Sequence, residues 1–257
     1  MFSIPRLFLI LGVFSIAATQ LKAEEGVYEL RTYVCNEGRL PALLARFREH
    51  TCRLFEKHGM KNVGYWVPIK EEDGANTTLI YVLEHSSREA AKASFAAFGQ
   101  DPEWQAARKA SEESGKILAR PPESVFMKVT DYSPPVEIVA KEGERVFELR
   151  TYTTPEGKLD DLHTRFRNHT MKLFSKHGMS HVAYWQPVDE PKASNTLIYI
   201  LSHASAEAGL NSFTAFRADP DWIKAKSESE KEGSLTLPQP EGVKSVYLRA
   251  TDFSPIK

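Results

Sequence analysis

A 42-residue stretch of this chain occurs twice. Residues 27–68 read VYELRTYVCNEGRLPALLARFREHTCRLFEKHGMKNVGYWVP, and residues 146–187 read VFELRTYTTPEGKLDDLHTRFRNHTMKLFSKHGMSHVAYWQP. At a constant offset of 119, 25 of the 42 positions are identical. The match resumes further on. LIYVLEH (79–85) answers LIYILSH (197–203), FAAFGQDPEW (95–104) answers FTAFRADPDW (213–222), and SVFMKVTDYSP (124–134) answers SVYLRATDFSP (245–255). A period of this length is far beyond that of a solenoid repeat, so each copy is expected to be a domain. Residues kept in both copies answer to the shared fold or to a shared site.

The pattern within one copy gives the order of elements. Residues 27–34 are rich in β-formers and read as a strand. Leu40, Leu43, Leu44, Phe47, Leu54 and Phe55 recur at helical spacing, which predicts a helix over about 39–57. Gly59 stops it, with His58 in the last turn. Strands at 63–68 and 78–85 and a helix at 87–98 follow. Asp101-Pro102-Glu103 opens another helix, with Asp as N-cap, Pro at the first position and an acid in the first turn. A last strand runs over 124–132. The order β-α-β-β-α-β is the ferredoxin-like split unit, an α+β fold. One face of such a sheet carries helices and the other must be buried by something else. Two copies supply the partner, so two ferredoxin-like domains are expected to pack sheet to sheet as a pseudo-dimeric α/β barrel.

The N-terminal residues differ in character. Arg6 is the only charge before Lys22, Leu7–Ala18 is an apolar run with Ser15 its one polar residue, and the small Ala23 follows. This is a signal-peptide pattern, too short for a comfortable membrane span, with an uncleaved N-terminal anchor as the alternative. The expected division is a signal peptide at 1–23, domains at 24–134 and 145–257, and a linker at 135–144. The mature protein is then expected to be exported, periplasmic or secreted, and free of the membrane. A net charge of −1 offers no clustered basic footprint for nucleic acid. Cys35 and Cys52 occur only in the first copy, where the second has Thr154 and Met171, so the fold does not require them. Two cysteines in an exported chain can pair, but one falls at a strand end and the other in mid-helix, so a disulfide stays open.

Strand alternation selects candidate site residues. Tyr28, Leu30 and Thr32 share one face of the first strand and are expected to meet the helices. Glu29, Arg31 and Tyr33 share the other, as do Glu148, Arg150 and Tyr152, and are expected to face the inter-sheet interior. A charged pair there must be mutually paired or must meet water or a ligand. Arg31 and Arg150 can bind an anionic or polar ligand oriented by the glutamates, or the pairs can be purely structural. His50 and His169 lie on the helix stripe. They read as a general base or a haem ligand at a barrel end, or as partly buried histidines bonded to the sheet. His58 and His177 suit a helix C-terminus. His85 and His203 end a strand, with no chemical role assigned. Of Tyr65-Trp66 and Tyr184-Trp185, one residue of each pair should face the interface, as pocket wall or as packing. Trp104 and Trp222 anchor a helix. Neither His50 nor His169 has a carboxylate or a second histidine at helical spacing, so no metal site is expected. No nucleotide, P-loop or hydrolase motif is present, and no cofactor is expected.

At ELRTY, HGM, YW-x-P and the DP-x-W segment the chain resembles the NIPSNAP family, over about residues 26–133 and 145–256. The resemblance implies the dimeric α/β-barrel fold. Animal NIPSNAP proteins are mitochondrial and linked to protein–protein contacts and mitophagy, and bacterial relatives are largely without assigned activity. The N-terminus here departs from a mitochondrial type and suggests a bacterial-type exported member. The family has no agreed catalytic set, so catalytic residues stay unassigned. The wider barrel superfamily includes cofactor-free monooxygenases, small isomerases and haem-binding enzymes. Two readings follow. The first is a barrel protein that binds a small ligand or a protein partner, with further homo-oligomerisation left open. The second is a cofactor-independent monooxygenase or isomerase acting on a small apolar or aromatic compound in the barrel cavity.

Overall fold

A computed structural model describes residues 26–139 and 145–257. The expected signal peptide at 1–23 and residues 140–144 of the expected linker lie outside the described residues. In the first half, β1 (Val27–Val34) leads into a continuous helical stretch made of α1 (Leu40–Arg46), a π-helical turn (Phe47–Thr51) and α2 (Cys52–Lys57). Then come β2 (Lys61–Pro68), β3 (Thr78–His85), α3 (Arg88–Gln100), α4 (Pro102–Ser111) and β4 (Glu123–Val129). The second half repeats the series: β5 (Val146–Thr153), α5 (Leu159–Arg165), a π turn (Phe166–Thr170), α6 (Met171–Lys176) and β6 (Ser180–Pro187). It ends with β7 (Thr196–His203), α7 (Ala206–Ala218), α8 (Pro220–Ser229) and β8 (Val243–Ala250).

Local chemistry explains most boundaries. Gly59 ends α2 at φ +78°, a region open to glycine at little cost. Ser87 caps α3 by accepting from the Ala90 N–H at 3.0 Å, and Asp101 caps α4 by accepting from the Glu103 N–H at 2.9 Å. The π turns are absent from a 3.6-residue pattern. Their physical mark is a threonine hydroxyl donating five residues back, Thr51 to the Arg46 carbonyl at 3.1 Å and Thr170 to the Arg165 carbonyl at 3.2 Å.

The eight strands close into one antiparallel barrel in the order β1-β3-β2-β8-β5-β7-β6-β4. The two sheets do more than stack. Trp66↔Ala250 through Pro68↔Leu248 join β2 to β8, and Met127↔Pro187 through Val129↔Trp185 join β4 to β6. Each half thus covers the other's exposed strand edges as well as its bare sheet face. The lumen is apolar and filled from both sides. Leu30, Trp66 and Val82 meet Phe147, Trp185 and Ile200, each 8% exposed or less.

The faces of β1 and β5 are the reverse of the sequence expectation. Tyr28 and Leu30 enter the lumen, where the Tyr28 and Trp185 rings lie 5.9 Å apart. Glu29, Arg31 and Tyr33 lie under the helices, as do Glu148, Arg150 and Tyr152. The Arg31 guanidinium sits 4.6 Å from the Phe95 ring of α3, and Tyr33 meets Phe47 edge-on at 5.8 Å. The reason is polar satisfaction. The lumen offers an ion pair only apolar walls, whereas the helix side offers a histidine, a serine and an opening to water. Both cysteines are free, Cys35 buried and Cys52 half-buried. Among the described residues no helix is long and apolar enough to cross a membrane.

Candidate functional site

Three strands place one polar network beneath α3. Pairing of β1 with β4 sets Arg31 opposite Ser124, and pairing of β1 with β3 brings the end of β3 to the start of β1. The Glu29 carboxylate at the centre is 1% exposed. It accepts from Arg31 Nη1 and Ser124 Oγ, each at 2.5 Å, and lies 3.1 Å from His85 Nε2. Burial pushes the Glu29 carboxyl up, but the His85 hydrogen bond, the Arg31 charge and the Ser124 hydroxyl together outweigh it and hold the group below its ordinary value. The second half repeats the network, with Arg150 and Ser245 at 2.5 Å from Glu148 and His203 at 2.9 Å.

Only part of this arrangement is duplicated. In the first half a cleft of about 880 Å³ opens over the network. Its floor is Glu29, Arg31 and Ser124, its walls are Phe95 and Phe126, and its rim carries Arg88, Glu89 and Lys92. Arg88 lies 4.0 Å from the Phe126 ring and reaches the Asp189 carboxylate of the second half at 2.7 and 2.8 Å. In the second half, Ala206 stands in place of Arg88 and Leu210 in place of Lys92. Tyr247 stands in place of Phe126 and is 9% exposed. Its hydroxyl fits because residue 209 is glycine: a Cβ there would lie 2.9 Å from the Tyr247 oxygen and 3.1 Å from the His203 ring.

The two arginines differ as well. Arg150 donates Nε to the Tyr199 hydroxyl at 2.9 Å and Nη2 to the Tyr152 hydroxyl at 3.2 Å. In the first half Arg31 Nε and the Tyr81 hydroxyl are buried without hydrogen-bond partners among the described residues. Arg31 therefore keeps donor capacity that Arg150 has already engaged.

Of the residues singled out in the sequence, Glu29, Arg31, Glu148 and Arg150 belong to the networks. Tyr33 and Tyr152 flank the arginines, at 5.7 and 5.5 Å from ring centre to guanidinium. Tyr65 and Tyr184 are fully buried beneath the helices, stacked on Tyr81 and Tyr199 at 5.2 and 5.0 Å, and are not part of the cleft. Their neighbours Trp66 and Trp185 take the lumen positions. His50 and His169 do not reach the site. His50 is 38% exposed on the outer helix surface, 3.9 Å from Glu103, because the π turn carries it away from the sheet. His169 is likewise exposed. His58 and His177 cap their helices and bond Asp101 and Asp219 at 2.8 and 2.7 Å. His85 and His203, which have no role in the sequence pattern, and Ser124 and Ser245, which no motif marks, complete the networks. All four are kept in both copies, and the parity of β3 puts His85 on the face of Tyr81, toward Glu29. Among the described residues no group of three or more acidic, histidine or cysteine side chains could hold a metal ion.

Comparison with known proteins agrees with this architecture. A candidate monooxygenase from Fusobacterium nucleatum superposes with a TM-score of 0.55 at 10% identity, over 88% of this chain and 92% of that one. An anthrone oxidase-like protein does so with a TM-score of 0.55 at 11% identity, over 90% of this chain and 94% of that one. At these identities the likeness is one of fold, the dimeric α/β barrel. A NIPSNAP family protein of unknown function from Agrobacterium tumefaciens is 23% identical over 43% of this chain and 94% of its own, with a TM-score of 0.37. No curated protein matches the chain in sequence. The NIPSNAP family model matches twice, at residues 28–134 and 147–255, once for each half of the barrel. With both of its repeats accounted for in this way, the chain belongs to the NIPSNAP family.

Proposed function

We propose that the first half of the barrel binds a small carboxylate with an apolar or aromatic body, in the cleft under α3. One observation carries this reading. The cleft joins three cations, Arg31, Arg88 and Lys92, to two phenyl walls, Phe95 and Phe126, and the second half keeps the buried network but loses both rim cations. A structural ion pair needs no such rim. A planar guanidinium suits a carboxylate, and the phenyl rings suit the body attached to it.

Binding is favoured over turnover by the state of Glu29. A carboxylate that already accepts from three donors and is held below its ordinary value is a poor proton acceptor. His85, 2% exposed, stands behind it and does not line the cleft. The alternative, a cofactor-independent monooxygenase or isomerase, takes support from the names of two fold neighbours. Its place would be this cleft, because the lumen is filled with side chains. Export through residues 1–23 is part of the proposal, and N-terminal sequencing of the mature protein tests it.

Isothermal titration with benzoate and with its uncharged counterpart benzamide is the direct test. Benzoate is expected to bind at one site per chain, and benzamide at least about tenfold more weakly, the loss of one charge-assisted contact. Equal binding of the two, or of neither, contradicts the reading. Oxygen uptake with anthrone would establish turnover in its place.

A further inference from the structure

A second cleft, of about 400 Å³, lies at the seam between the halves, where the chain leaving β4 crosses α5 and β6. Its frame is common to both halves. Arg167 holds the Asp131 carboxylate bidentately, with both contacts at 2.7 Å, and Arg48 holds Asp252 in the same way at 2.6 and 2.7 Å. What surrounds that frame differs. The first half has Pro41, Leu44, Ala45, Val67 and Phe253. The second has Asp160, His163, Thr164, Gln186 and Tyr132 at the corresponding places. In the first half Val67 belongs to the apolar core beneath the helices, and Leu44 and Phe253 pack against it. Four apolar side chains have thus become polar ones around a single opening, and the Tyr132 hydroxyl lies behind it against His163.

The centre of this change is His163. The residue is 7% exposed. Its Nδ1 lies 2.8 Å from the Tyr132 hydroxyl, which fixes the ring. Its Nε2 is buried and makes no hydrogen bond of good geometry among the described residues, with Gln186 the side chain that faces it. A buried imidazole nitrogen without a partner is costly unless something else supplies one. Where the first half fills this place with leucine, the second has a positioned imidazole. Gln186 is oriented by its own bond, Nε2 to the Ala193 carbonyl at 2.7 Å, and lines the cleft beside His163.

We infer that this seam cleft binds a small, neutral, hydroxyl-rich molecule of the monosaccharide or cyclitol class. Val129 is the one apolar residue of the eight that line it, so an apolar ligand has little to pack on. Arg167 and Asp131 neutralise each other, and Asp160 adds a negative charge, so an anion is disfavoured. The remaining groups include acceptors, hydroxyls and an imidazole nitrogen that donates or accepts according to its tautomer. Hydroxyl groups do both and match such a set. The volume falls in the range of small-molecule sites. This ligand class and this location are independent of the carboxylate cleft under α3.

The test is a titration of the full chain with D-glucose, D-galactose and myo-inositol, followed through the histidine ring resonances by carbon–proton correlation NMR. At least one of the three is expected to move, saturably, the single ring resonance that His163→Leu removes. His163→Leu and Gln186→Val install the side chains that the first half carries at these places, so the fold accommodates both. Gln186→Val should weaken the response of the His163 resonance at least about tenfold, the loss of one buried hydrogen-bond partner, while the melting temperature stays within a few degrees. No shift with any of the three up to about 50 mM, an affinity far weaker than a built site gives, overturns the inference. So does a response that Gln186→Val leaves unchanged. A shift of this ring by benzoate or methylammonium, with none by the sugars, overturns the ligand class.

Discussion

His85 Nε2 stands 3.1 Å from Glu29 Oε2, and His203 repeats the contact with Glu148 at 2.9 Å. Each glutamate is 1% exposed and is the shared acceptor of a histidine, an arginine and a serine. Glu29→Ala therefore strands three donors at once. The expected loss is about 3 kcal/mol, since removing one partner of a buried ion pair leaves the other uncompensated. Urea denaturation reads it directly, and a loss under about 1 kcal/mol contradicts the buried network.

The same carboxylates set an acid limit. Glu29 and Glu148 are both held below the ordinary value of 4.5. A folded-state value below the unfolded one means that the unfolded chain binds more protons in this range. Their contribution is complete above about pH 4.5 and is lost as the pH falls through the lower folded-state values. Melting temperatures measured from neutral pH downward should drop through this window, and Glu29→Gln with Glu148→Gln should flatten the drop.

Gly209 and Tyr247 form a matched pair. Gly209→Ala brings a Cβ within 2.9 Å of the Tyr247 hydroxyl. The crowding should outweigh the helix-propensity gain and cost a net of about 1 kcal/mol. In a Tyr247→Phe background the same change should cost less, because the closest contact is gone and the first half already carries Ala91 with Phe126. A double-mutant cycle with no coupling contradicts the assigned contact.

The lumen should behave as a core. Trp66 is fully buried, with its ring centre 5.7 Å from that of Phe147 across the barrel. Trp66→Ala is expected to cost about 4 kcal/mol through the cavity it leaves. Trp66→Phe should cost far less, since the indole N–H has no partner to lose. Equal costs for the two would point to a polar role for Trp66.

Most of the fold could be read from the sequence, because turn and cap residues mark its boundaries. Gly59, Ser87 and the Asp101-Pro102 step each fix one end of an element by local chemistry alone. The β-strands of the barrel are harder to orient. Residues 78–83 of β3 are buried on both faces, so periodicity does not say which face meets the helices. Expecting Tyr28, Leu30 and Thr32 to meet the helices places Glu29 and Arg31 between the sheets, where a charged pair marks a cavity. The rule that a buried charge needs partners was sound, but the partners, His85 and Ser124, come from other strands and depend on register. The asymmetry between the clefts was present in the repeat all along, as Arg88 against Ala206 and His163 against Leu44. Its meaning required knowing which of these positions converge.

The central claim is that the first half, and not the second, holds the carboxylate site. The most direct measurement is calorimetric titration of benzoate into the double variant Arg88→Ala with Lys92→Leu, which gives the first half the rim of the second. The account predicts affinity at least about tenfold weaker than in the parent protein, with melting temperature nearly unchanged, since exposed ion pairs contribute little to stability. Unchanged affinity for benzoate in that variant would contradict it.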